Sequence, residues 1–237
     1  MTHLHIPDGV LSGLWLVAGY AISGVLLAYA LHRNRGIAGN EMLPRIGVVA
    51  AVMLLAMSIP VGVLPIHLNL TVLGGILLGP WLAFIAVFLV NLFLALIGHG
   101  GITVLGWNTF LLGMEAMVGG GLFKFFAKRL NVVAAATGAT ILAVTLSLLL
   151  LVGLVGMMQF EPALLIPHNH VVEEQEQGGH QEVGFQEPGH IHDEIGSFSL
   201  NRFLILVLPL GLLGIGLETF AIALVIGFFL RVRPDLF

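Results

Sequence analysis

The sequence predicts an all-α, polytopic membrane bundle of about seven transmembrane segments, N-terminus outside and C-terminus inside. Three observations carry this expectation. Hydrophobic residues fill 58% of the 237 positions and charged residues only 9%, a balance foreign to soluble domains. Apolar runs of about 18 residues or more, long enough to cross a bilayer, recur along most of the chain. The basic residues fall in short clusters between those runs.

The segments lie at 11–31, 44–60, 68–79, 81–98, 103–123, 132–158 and 200–230. The first follows the turn-forming Ile6-Pro7-Asp8-Gly9, where Asp8 is a candidate cap for the helix start. The third is too short for a full span. It follows Pro60-Val61-Gly62 and Pro65 and stops at Gly79-Pro80, so it is expected to be tilted, or broken and wrapped by its neighbours. Gly19 and Ser23 form a small-xxx-small pair suited to close helix approach. Asn91, Glu115 and Glu218 interrupt apolar runs and need partners if buried. Glu115 is suited to balance a cation or to pair across helices.

Charge sets the orientation. Arg33, Arg35 and Arg45, then Lys124, Lys128 and Arg129, then Arg231 and Arg233 share one side when seven spans are drawn, and the positive-inside rule makes that side cytoplasmic. Residues 1–237 form a single transmembrane domain. Within it, 161–196 carries His168, His170, His180, His190 and His192 among eight carboxylates. Such a tract cannot build a core and is expected to be a disordered external loop, either a solubilising linker or a diffuse metal collector. No positive charge precedes the first apolar run, so no secretory signal peptide is expected.

Absences exclude whole function classes. There is no cysteine, hence no disulfide or thiolate metal site. A Gly-rich nucleotide loop with its lysine and hydroxyl is missing, as is a His-Glu-x-x-His zinc motif, so neither ATP hydrolysis nor zincin chemistry is expected of this chain. Nothing points to nucleic acid or to an organic cofactor.

What remains is imidazole chemistry at the external end. Met1-Thr2-His3-Leu4-His5 offers a terminal amine, backbone amides and imidazoles, which together build the planar nitrogen site that nickel(II) and copper(II) favour. With Met1 retained, His3 completes four nitrogens. With Met1 removed, Thr2-His3 supplies three and His67 is the candidate fourth. His5 is a ligand or a near neighbour. His99, in Gly98-His99-Gly100-Gly101, and Asn108 are candidates to brace the site rather than to bind the ion.

Taken as an ordered set, several stretches resemble one family: His5-Ile6-Pro7-Asp8-Gly9, Ile59-Pro60-Val61-Gly62 with His67-Leu68, Gly74-Gly75-Ile76-Leu77-Leu78-Gly79, and Gly100 to Asn108. They look like the substrate-binding M component (CbiM/NikM family) of nickel and cobalt energy-coupling-factor transporters, over about residues 5–125. The resemblance implies external capture of Ni(2+) or Co(2+) as transported substrate. It also implies partners: a transmembrane coupling (T) component, two ATP-binding cassette ATPase subunits and a small accessory membrane N component. In that family the opening histidine directly follows the initiator methionine, and the second histidine matches His67. Here the motif histidine is His5, preceded by Leu4, so the register of the terminal chelate stays open between His3 and His5. The rival reading is a self-contained secondary divalent-metal carrier or exporter, for which more polar residues in the spans or an inverted repeat would be expected.

Overall fold

The computed structural model describes residues 6, 8, 11, 13–37, 39–59, 67–98, 100–165 and 200–233. Seven helices follow in order: α1 (Gly13–Arg33), α2 (Gly39–Ser58), α3 (Thr71–Leu78), α4 (Pro80–Leu96), α5 (Leu105–Phe126), α6 (Val132–Leu165) and α7 (Leu200–Val232). Five contain stretches long and apolar enough to cross a membrane: α1, α2 and α5 over their whole length, α6 over Val132–Met157 and α7 over Val207–Val232. Large apolar side chains on α1, α2, α6 and α7, among them Leu14, Val25, Leu55, Leu149 and Leu224, point outward and exposed, as a lipid-facing wall does. By contrast α3, α4 and the middle of α5 are buried.

The third predicted segment is a half-crossing. With 8 residues, α3 is about 12 Å long, too short to span alone. Its start lies level with Glu115 on α5, through Asn69 and Thr71, and its end at Gly79 lies beside Lys124, 3.4 Å from the Nζ for an added Cβ. Helix α3 therefore runs parallel to α5, from mid-bundle to one end. Leu70 initiates it with φ 56°, the left-handed region, and Gly79 ends it with φ 82°. Pro80 then opens α4, where its missing N–H costs nothing.

Close helix approach rests on glycine. A Cβ on Gly75 would strike the Ala116 carbonyl, and one on Gly106 would strike the backbone of Gly19 and Tyr20. The Ser23 hydroxyl donates to the Gly106 carbonyl, so the Gly19/Ser23 pair does form the α1–α5 contact. In a bilayer, where lipid matches side chains in apolarity, such close backbone packing and interhelical bonds hold helices together.

The basic helix ends gather on one side. Tyr29 near the end of α1 packs on Trp81 at the start of α4, centroids 4.6 Å apart. Helix α7 runs back along α6, with Gly211 against Leu148 and Thr219 and Ala223 beside Thr137 and Ile141. Arg33, Lys124 and Arg231 thus share an end of the bundle. Helix α2 starts at Gly39, five residues before the predicted boundary, and contains Pro44. Helix α6 continues to Leu165, so residues 161–165 of the predicted loop are helical. Residues 166–196 lie outside the described residues.

Candidate metal-capture site

The stretch after the N-terminal histidines is tied down at two points. The Asn108 side chain pairs with the backbone of Ile6 in both directions: Ile6 N–H donates to Asn108 Oδ1 at 2.9 Å, and Asn108 Nδ2 donates to the Ile6 carbonyl at 3.2 Å. An amide side chain matches a peptide unit's donor and acceptor, so one asparagine substitutes for a strand neighbour. Ile6 itself is buried with Leu11, Val104, Trp107 and Leu111. The indole N–H of Trp107 donates to the Trp15 carbonyl at 2.7 Å, locking the ring that forms the floor.

The second tie is Asp8. Its carboxylate accepts from the backbone N–H groups of Ile102 and Thr103, at 3.2 and 2.9 Å, and from the Thr103 hydroxyl. The expected cap of the first helix is corrected here: Asp8 gathers the turn that leads into α5. That turn presents two free N–H groups and a hydroxyl at a helix start, where a carboxylate is favoured. The Thr103 hydroxyl bond, reinforced by the backbone donors, holds the Asp8 carboxyl below the usual carboxylate range. Gly101 is required beneath it, since a Cβ there would collide with the Asp8 carboxylate.

His67 lies just before α3 and is half-buried, its Nδ1 inside the bundle. It lines a cavity of about 60 Å³ together with Asn69, Leu111, Glu115, Ser147, Leu151 and Glu218. Leu111 and Leu151 also belong to the cluster that receives Ile6, so His67 and the docked N-terminal stretch flank the same two leucines. The sequence reading put His67 at a helix start on the outer face. It sits deeper, at the mouth of a cavity between α5, α6 and α7.

Glu115, singled out in the sequence, is buried and fully engaged. Its Oε1 accepts from Asn69 Nδ2 at 2.8 Å and from the Thr71 hydroxyl, and the Ser147 hydroxyl also bonds to it. Asn69, Thr71 and Ser147 escaped the sequence reading; the signal for Asn69 and Thr71 was polar spacing immediately after His67. Asn91 reaches the Thr109 hydroxyl at 3.5 Å. Met1, Thr2, His3, His5 and His99 lie outside the described residues, and among the described residues no three His, Asp or Glu side chains form a ready-made metal cluster.

A multi-pass helical membrane bundle, with a pinned N-terminal stretch and a half-buried histidine that share two leucines, defines the class: a polytopic membrane component with small buried polar sites. The chain matches the CbiM family, described as the cobalt uptake substrate-specific transmembrane region, over residues 5–236, and it belongs to that family. A Haloquadratum walsbyi protein named for metal transport is 37% identical over 153 residues, covering 62% of this chain and 69% of that protein. The cobalt transport protein CbiM of Clostridium tetani is 33% identical over 145 residues, 58% of this chain and 60% of the relative. The matched region thus spans about three fifths of that relative's length. The crystal structure of a transition metal transporter shares the fold, with TM-score 0.73, 21% identity and coverage of 97% of this chain and 93% of that one. A truncated transition metal transporter gives the same TM-score over 96% and 99%. The protein is a multi-pass membrane component of the CbiM family, whose relatives are named for metal transport.

Proposed function

We propose that this chain is the substrate-capture component of an ATP-driven nickel or cobalt uptake transporter, binding the divalent ion outside the cell with its N-terminal residues and His67. The observation that carries the reading is the two-way pairing of Asn108 with Ile6. It fixes the backbone immediately after His5, on the leucines that also border His67. A terminal chelate needs such a tether, because ordering a free peptide around an ion otherwise costs backbone entropy at every residue.

Within that reading, the amine of Met1 or Thr2, an intervening amide and the imidazole of His3 supply most of a planar nitrogen set. His67 supplies the fixed member, and His5 is a ligand or an immediate neighbour. Asn108 holds the strand that carries them, and His99 stands as a bracing residue near the turn that Asp8 gathers. A planar set with a deprotonated amide suits nickel over zinc, whose preference is tetrahedral; cobalt remains the other candidate cargo. The basic end of the bundle faces the cytoplasm by the positive-inside rule, which puts the N-terminal stretch outside. Energy then comes from partners, a coupling T component and two ATP-binding cassette ATPases, with a small accessory N component alongside.

The test is a nickel and cobalt titration of the purified chain, with N-terminal mass and absorption spectrum taken on the same sample. A yellow, diamagnetic one-to-one nickel complex, abolished by blocking the amine or by His67→Ala, is the expected result. Binding that survives both changes, or that disappears only when 166–196 is deleted, refutes it.

A further inference from the structure

The cavity below His67 has chemistry that the capture reading does not use. Four polar side chains around it are nearly inaccessible: Asn69 at 6% exposure, Thr71 at 0%, Glu115 at 3% and Glu218 at 5%. The Glu115 carboxyl group is satisfied by the donors already described. Glu218 is not. The Leu70 N–H bonds to its carboxyl group, but its Oε1 is buried without a hydrogen-bond partner among the described residues. Two carboxyl groups therefore face a cavity of about 60 Å³ that no lysine or arginine lines. Leu70, the donor of that bond, is also the one described non-glycine residue with positive φ.

Paired carboxylates in an apolar bundle need a compensating positive charge, and among the described residues that line the cavity no lysine or arginine supplies it. Helix α5 contributes Leu111, Leu112 and Glu115; α6 contributes Val144, Ser147, Leu148 and Leu151; α7 contributes Gly211, Gly214, Leu217 and Glu218. The stretch before α3 contributes His67, whose imidazole stands at the mouth. At about 60 Å³ the cavity exceeds the roughly 10–15 Å³ that a single water requires, which leaves room for an ion that keeps a water.

We propose that this cavity is a transit site for the transported divalent cation, held by the Glu115 and Glu218 carboxylates with neutral oxygens of Asn69 and Ser147 and with water. Carboxylate, carbonyl and hydroxyl oxygens suit a hydrated divalent ion. The site is weaker than a nitrogen chelate, as a transit site must be: favourable enough to enter and weak enough to leave. His67 belongs to both places, at the rim of the capture site and the mouth of the cavity, so a single side chain joins the two. The proposal rests on the uptake reading for the identity of the ion.

The experiment is equilibrium dialysis of Co(2+) against the full chain in nanodiscs, with the terminal amine acylated to disable the chelate. Glu218→Gln is compared with its acylated parent, so that any binding by 166–196 cancels. The expected result is one Co(2+) equivalent lost in Glu218→Gln, and a Co(2+)-dependent rise in Tm present in the parent and absent in the variant. Glu218→Asp, which keeps the charge, retains the equivalent at roughly tenfold lower affinity (about 1.4 kcal/mol) and shows that the helix still folds. Equal binding by parent and Glu218→Gln overturns the proposal. So does a Glu218→Gln chain that is more stable than its parent in saturating Co(2+), since protons would then neutralise the pair. If acylation leaves the tight site intact, the capture reading fails while the Glu218-dependent equivalent stands on its own.

Discussion

Asn108→Ala is the perturbation that most directly separates a tethered N-terminus from a loose one. It deletes two hydrogen bonds, of 2.9 and 3.2 Å, to the backbone of a buried residue. At about 1 kcal/mol net per neutral bond, the loss is about 2 kcal/mol. At the upper end, where Ile6 N–H and C=O are stranded at ~3 kcal/mol each, it reaches about 6. Even the lower figure reduces the docking equilibrium about thirtyfold. Once the undocked form predominates, apparent nickel affinity falls by the same factor, because only the docked fraction is competent. The assay pairs nickel binding with hydrogen exchange at the Ile6 amide. Asn108→Ala is expected to expose that amide and to raise the apparent Kd at least about tenfold. Asn108→Asp keeps an acceptor for Ile6 N–H but opposes the Ile6 carbonyl with a second acceptor, so an intermediate effect is expected. Unchanged Ile6 protection together with unchanged Kd in Asn108→Ala refutes the tether.

Three further outcomes follow from the same geometry. Asp8 has a lowered pKa in the folded protein, chiefly through the Thr103 hydroxyl, so its contribution is complete above the ordinary value of 3.8 and disappears as pH falls through the lower folded value. Tm of the wild type should therefore exceed that of Asp8→Asn at neutral pH, with the difference closing in acid as pH falls from the ordinary value of 3.8 through the lower folded value. Gly106→Val should disrupt the α1–α5 contact by overpacking, at about 1–3 kcal/mol or more, read as increased protease sensitivity of the loop after α1. Gly75→Ala should have a similar cost at the α3–α5 contact, where the obstacle is the Ala116 carbonyl, read as a lowered Tm.

Hydropathy made the helices legible because each span must bury its backbone polar groups within itself, and the boundaries follow the charged and glycine-proline breaks. The third segment was legible as abnormal, from Pro60, Pro65 and Gly79-Pro80, but its partner was not. That Asn69 and Thr71 serve Glu115, some 45 residues away, depends on α3 lying parallel to α5, which no local pattern encodes. Asp8 was read as a cap for the helix that follows it, since capping is normally local; the donors it takes come from residues 102 and 103. Asn108 was read as a brace for the site; in the structure its side chain pairs with the Ile6 peptide, a partner about a hundred residues away that no local pattern encodes.

Asn108, Leu111 and Glu115 lie three and four residues apart along α5, and therefore on one face of that helix. At the top of this column stands the residue that holds Ile6, in the middle the leucine shared by the docked strand and the cavity, and at the bottom a carboxylate bonded to the residues that follow His67. The face opposite is equally constrained: Gly106, Gly113 and Gly120 each bring another element into contact with α5, so the helix has little freedom to rotate about its axis. A shift of α5 would thus act on the tether and on Glu115 together. Under the uptake reading proposed above, that coupling would let one rigid helix loosen the docked N-terminal stretch and alter the buried carboxylate in the same motion. It predicts that Leu111→Ala, which removes the side chain shared by the Ile6 cluster and the cavity lining, weakens both the N-terminal docking seen by Ile6 exchange and the Glu218-dependent Co(2+) equivalent. An effect on only one of the two would mean that the sites are neighbours without being coupled.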